Sequence, residues 1–130
     1  MSCRELPDLD DEIVDLQREL LEMLPDHVRD LRSALTLAST DQGARTAVQR
    51  LGHRLRGTGA TVRLGAIGEV GRAIEQFSVG RAQWTSGDVA RVSAAVDALG
   101  AWAERALASG CVDQGGLLGD PRVKALAEAS

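Results

Sequence analysis

The sequence predicts an all-α fold, an antiparallel up-and-down four-helix bundle with one additional N-terminal helix. Apolar residues recur at spacings of three and four along almost the whole chain, whereas period-two alternation is confined to the short run ATVRL at 60–64. Short polar or glycine-containing breaks separate these stripes, so that neighbouring helices must turn back on one another. The core has to be built from Leu, Val, Ile and Ala, because the only aromatic residues are Phe77, Trp84 and Trp102. A chain of 130 residues suits a single domain with a genuine core.

The first helix is expected over about residues 9–23, where Ile13, Leu16, Leu20 and Leu24 form a stripe and acidic residues crowd the start. Pro25 either kinks this helix or occupies the first turn of a second one, which carries Val28, Leu31, Leu35 and Ala38 inward. After the polar break Ser39-Thr40-Asp41, in which Thr40 or Asp41 can cap, a third helix runs from about 42 to 60. Its inward residues are Ala44, Val48, Leu51 and Leu55. The fourth, about 64–78, turns Ile67, Val70, Ile74 and Phe77 to the core. A loop at 79–87 with Ser86 as cap precedes a fifth helix over about 88–108, with Val89, Val92, Val96, Leu99, Ala103 and Ala106 inward. The bundle is therefore assigned to residues 1–108. Residues 109–130, with Gly110, Gly115, Gly116 and Gly119, are expected to be a flexible tail with a short helix after Pro121.

Composition excludes several function classes. No apolar run is long enough to cross a membrane, and the acidic start MSCRELPDLDDE has no apolar segment of a secretory signal. Scarce aromatics and a net charge of −4 argue against a nucleic-acid surface. Charge is nonetheless divided: residues 5–30 hold ten of the 19 acidic groups, while residues 45–91 hold eight arginines against Glu69, Glu75 and Asp88. Such a basic face suits docking to an acidic protein surface, and solvated helix faces are the plainer explanation. Cys3 and Cys111 lie near opposite ends of the chain without a CxxC pair or a Cys/His cluster, so free thiols in a reducing compartment are expected and a metal site is not.

Two histidines remain as chemical candidates. His27 has no partner pattern and is expected on the surface. His53 lies about 160° around the helix from the inward Leu51 and Leu55, and so faces solvent. Residues three, four and seven positions away are Thr46, Gln49, Arg50, Arg56, Gly57 and Ala60. Glycine at an exposed mid-helix position costs roughly 0.5–1 kcal/mol relative to alanine. Gly57 beside His53 is accounted for if another surface must approach the ring. Imidazole is a competent nucleophile near neutral pH, and Arg56 is placed to stabilise a phosphoryl group on it. On these residues alone a solvated surface histidine is the more economical reading.

The segment His53-Arg54-Leu55-Arg56-Gly57-Thr58-Gly59-Ala60 resembles the signature of histidine phosphotransfer (Hpt) domains, roughly H-x-L-[KR]-G-[ST]-[GS]-[GA]. The likeness continues without a gap through Leu64–Glu75 and upstream through Leu24–Leu31, and spans about residues 10–107. It implies an Hpt-like bundle whose exposed histidine accepts a phosphoryl group from a receiver-domain aspartate and passes it to another receiver. His53 is then the phospho-acceptor, Arg56 replaces the usual lysine near the phosphate, and Gly57 gives the receiver room. Thr46, Gln49, Arg50, Gly57 and Ala60 would form the docking face. The family commonly has glycine ten residues after the histidine, close to the ring. Arg63 stands there instead, either shielding His53 or supplying a second cation to the phosphoryl group, with Gly65 returning the lost space.

The resemblance implies no cofactor of the chain's own, Mg²⁺ belonging to the partner receiver. Partners would be response-regulator receiver domains or a hybrid histidine kinase, and a cytoplasmic monomer is expected. The chain is not expected to be an enzyme, since no ATP-binding half of a kinase fits. An alternative is an Hpt-derived interaction module that binds receivers or kinases without transfer, the reading Arg63 keeps open. Other motifs fail: Gly57-x-Gly59 is followed by Val62 where a dinucleotide fingerprint needs glycine, and the only lysine, Lys124, lies in no phosphate-binding loop. Gly65, Gly68 and Gly71 repeat every three residues and are expected to mark close helix packing.

Overall fold

The structure, a computed structural model, describes residues 11–129. Six helices follow one another: α1 (Asp11–Leu35), α2 (Gln42–Thr61), α3 (Gly65–Val79), α4 (Ser86–Ser109), α5 (Gln114–Leu118) and α6 (Pro121–Ala129). The described residues contain no strand. The first four helices form the up-and-down bundle, α1 packing on α2 and α4 and α2 on α3.

The two helices expected at the N-terminus are one. Pro25 lies inside α1, exposed to solvent, and forgoes the hydrogen bond to the Leu21 carbonyl. Leu24 and Val28 on either side of it are buried, so packing holds the helix through the break. The inward face also differs from the apolar stripe. Leu16 is exposed and Gln17 is buried, its Nε2 donating to the Val62 carbonyl at 2.9 Å. His27 is likewise buried, at 8% exposure, rather than on the surface. The face is set by the neighbouring helices, and its row Gln17, Leu20, Leu21, Leu24, His27, Val28, Leu31 includes two polar members. Residues before Asp11, including Cys3, lie outside the described residues.

Asp41 caps α2, accepting from the Gly43 amide at 2.8 Å. The cap of α4 is Thr85, one residue before the expected Ser86, and it forms a reciprocal capping box with Asp88. Between α2 and α3 the backbones touch. A Cβ added at Gly59 would lie 2.5 Å from the Gly68 amide nitrogen, and one at Gly71 would lie 2.5 Å from that of Arg56. Gly68 and Gly71 thus pack as expected, joined by Gly52 and Gly59, whereas Gly65 is exposed with only the Gln114 side chain at 4.0 Å.

Residues 109–129 differ from the flexible tail expected over 109–130. Asp113 caps α5, and Leu117, Val123 and Leu126 enter the same core as the bundle. Trp102 Nε1 donates to the Asp113 carbonyl at 2.7 Å, and Gln114 Oε1 accepts from the Ala66 amide at the start of α3 at 2.9 Å. α6 lies against both α3 and α4, which touch each other little. Glycine content suggested mobility, but three apolar anchors decide the outcome. Cys111 is disulfide-bonded, which corrects the expected free thiol. Spacing along the chain says nothing about what lies beside a residue in space.

Candidate functional site

The glycine contact between α2 and α3 is what builds the site. The turn at 62–64 folds α3 back along α2, and Gly52 and Gly71 let the backbones approach until Gly52 faces the Glu75 amide. Glu75 is therefore delivered to the side of His53, although the two are 22 residues apart. His53 Nδ1 and Glu75 Oε2 are 2.6 Å apart, and Arg56 Nη1 donates to the other carboxylate oxygen, Oε1, at 3.1 Å.

The electrostatics follow from this geometry. The His53 side chain is 72% exposed, that of Glu75 only 15%. Burial alone raises the pKa of the Glu75 carboxyl, but the hydrogen bonds and charges of Arg56 and His53 together outweigh it and leave it below the ordinary 4.5. Glu75 is thus a carboxylate near neutral pH and can only accept hydrogen bonds. It follows that Nδ1 of His53 carries the proton, so that Nε2 holds the lone pair of the neutral ring. An exposed imidazole with a fixed tautomer and a half-buried anion behind it can act as a nucleophile and can carry positive charge afterwards.

Of the residues expected around the ring, Arg50, Gly57 and Ala60 are exposed, while Thr46 and Gln49 are half-buried. Nothing lies within 4 Å of a Cβ built on Gly57, so the approach to the ring over that turn is open. A hollow of about 460 Å³ beside the ring is lined by Gln49, Arg50, His53, Arg54 and Glu75. Arg56 is near the ring as expected, but its guanidinium is engaged by Glu75.

Arg63 is not brought to the site. α2 runs on from position 53 to Thr61, about 12 Å along the axis, before the turn that holds Arg63, beyond the reach of a side chain leaning back from that turn. Arg63 sits in the α2–α3 turn with φ 61°, the left-handed conformation in which glycine is at ease. The glycine commonly found at this position thus has a conformational explanation here, and Arg63 neither shields His53 nor reaches a group on it. Gln17 and Gln114 brace this turn from α1 and α5 through the Val62 and Arg63 carbonyls.

Glu75 is the site residue that sequence reasoning missed. Its signal was present: in a hairpin turning at 62–64, position 53 falls opposite position 73 or 74, and Glu75 is the acidic residue next to that level on an otherwise apolar face. His27, on the buried face of α1, feels the charge of Arg54 from α2. Burial chiefly, then the charge of Arg54, lower its pKa, against smaller opposing effects of Asp30 and Asp26. Among the described residues no cluster of His, Cys, Asp and Glu could hold a metal ion, and no helix is long and apolar enough to cross a membrane.

A family model described as Hpt domain matches residues 15–102 of the chain. No match is found among curated proteins or among solved structures.

Proposed function

The chain belongs to the Hpt domain family, whose members carry phosphoryl groups in phosphorelays, and from that premise we propose that His53 is the acceptor. On this reading His53 takes a phosphoryl group from the aspartyl phosphate of a receiver domain and passes it to another. The observation that carries it is the Nδ1···Glu75 contact at 2.6 Å on a side chain that is 72% exposed.

The step balances without a proton leaving the ring. The Nε2 lone pair attacks phosphorus, the P–O bond to the aspartate breaks, and its electron pair departs with the aspartate carboxylate. The ring keeps its Nδ1 proton and becomes cationic, and the Glu75 carboxylate faces the new charge. The receiver brings the acidic Mg²⁺ site, so this chain contributes a positioned nucleophile. Eight arginines in residues 45–91 suit docking to such an acidic surface. Gly57 keeps the approach open.

The test is incubation with a phosphorylated receiver domain and Mg²⁺. Acid-labile, base-stable label should collect on the wild type and be absent from His53→Gln. Equal labelling of the two proteins overturns the assignment of His53. Receiver binding without label on the wild type selects a non-transferring interaction module instead.

A further inference from the structure

We propose that the phosphoryl group carried by His53 is received in the hollow over Gln49 and Arg50, with Arg50 as its principal cation, while Arg56 serves as a positioning residue through Glu75. This rests on the reading of His53 as the acceptor. It moves the phosphate-binding charge from the turn after the histidine to the turn before it.

Helix geometry gives the first reason. Side chains on a helix lean toward its N-terminus and cover the preceding turn. The imidazole of His53 therefore lies over Gln49 and Arg50, and that is where the open space is found, a hollow of about 460 Å³. Arg50 is three residues before His53 on the same face, and it is exposed. Gln49, half-buried on the other side of the hollow, adds a neutral amide that can donate to a phosphoryl oxygen.

The second reason is which cations are free to act. Arg56 is held by Glu75 Oε1 at 3.1 Å, on a carboxylate that is largely removed from water. Turning it to a phosphoryl group would strip Glu75 of a partner just as the ring becomes cationic and most needs that carboxylate. Arg50 and Arg54 form no ion pair among the described residues. Arg54 also lines the hollow, but it stands about 100° round the helix from His53, toward the side where its charge acts on His27. Arg50 is left as the guanidinium on the ring's own face, and it can grip two phosphoryl oxygens at once. Glu75 behind the ring and Arg50 beside it then divide the work, the anion facing the imidazolium and the cation facing the phosphoryl oxygens.

Labelled His53 at equilibrium with a phosphorylated receiver measures this directly. Arg50→Ala should lower the labelled fraction about tenfold at every pH from 5.5 to 8.5, and Arg50→Lys should recover part of it. Affinity for the unphosphorylated receiver should change much less than the labelling does. Arg56→Ala should cost less label near pH 8 and should move the acid limb of the transfer rate to higher pH. The reason is that Glu75, faced by His53 and Arg56 of α2, then holds its carboxylate less firmly. Because Arg50 is exposed, its loss leaves the fold in place, which circular dichroism checks. Two results overturn the proposal: Arg56→Ala lowering the label at all pH values while Arg50→Ala does not, or Arg50→Ala weakening receiver binding as much as labelling. The latter makes Arg50 a docking residue. Failure of the wild type to label at His53 at all would instead remove the reading on which the proposal rests.

Discussion

Gly57 and His27 illustrate how a single position weighs on stability in two different ways. Gly57 has no heavy atom within 4 Å of where a Cβ would stand, so nothing in the fold itself asks for glycine. Gly57→Ala should stabilise α2 by about 0.5–1 kcal/mol and raise Tm by roughly 2–4 °C. On the proposed function the same methyl group stands in the path of an approaching receiver, so transfer to His53 should slow. A variant both more stable and as fast would remove the argument that Gly57 serves access. His27 is governed by burial. Its pKa is lowered by desolvation first and Arg54 second, with Asp30 and Asp26 opposing, so the folded protein disfavours its protonation. The sign follows: its contribution to stability is complete above the ordinary value of 6.5 and is lost as pH falls below it. Urea unfolding at pH 7.5, 6.5 and 5.5 should show this decline in the wild type, and His27→Gln should flatten it. Burial of His27 was not legible in the sequence, because a polar side chain on a core-facing row carries no hydropathy signal of its own.

At the level of elements, the pairing of α2 with α3 decides both fold and site. Gly71 lies where an added Cβ would meet the Arg56 nitrogen at 2.5 Å and the Gly52 carbonyl at 2.6 Å, both backbone atoms that cannot swing aside. Gly71→Ala should therefore cost about 1–3 kcal/mol and push the helices apart. It should also loosen the contact between Glu75 and His53, which histidine ¹⁵N chemical shifts would register as a mixed tautomer. Gly65→Ala, in the same three-residue series, meets only the flexible end of Gln114 and should be nearly neutral. Equal costs for the two would refute this reading of the hairpin. The series was visible as a repeat, but periodicity could not tell which of its members faces α2, since that depends on the turn. The existence of α1 to α4 was legible from apolar spacing, and that of α5 was not. Pro25 misled because local propensity argued for a break where burial of Leu24 and Val28 maintains the helix. The exposure of His53 was legible from its position opposite Leu51 and Leu55, and its candidacy came from the resemblance of residues 53–60 to the Hpt signature. Glu75 was hidden because its role exists only once the register of the hairpin is known.

The whole molecule is a four-helix bundle with one side left for its own C-terminal segment to close. The family match ends at residue 102, inside α4, yet the core continues beyond it. α6 covers the seam where α3 and α4 meet only slightly, and Arg81 reaches its last turn, donating to the Ala129 carbonyl at 3.2 Å. Glycines at 110, 115, 116 and 119 argue for mobility, and counted alone they concealed this closure. Against them stand Leu117, Val123 and Leu126, all buried, with Leu126 fully removed from solvent. If α6 is a structural side of the bundle, Leu126→Ala must behave as a core truncation and cost about 2–5 kcal/mol through lost transfer energy and the cavity left behind. If α6 were an appendage resting on a finished bundle, the same change would be worth no more than a surface substitution. Leu118→Ala supplies that comparison on the same segment, because Leu118 is 41% exposed and its loss should stay within about 0.5 kcal/mol. Chemical denaturation of the two variants separates the cases by midpoint. Transfer to His53, measured well below the unfolding transition, should be unchanged in both, since His53 stands on the exposed face of α2 and α6 packs on α3 and α4. A core-sized loss in Leu126→Ala with transfer intact would show that the C-terminal segment completes the scaffold without taking part in the chemistry.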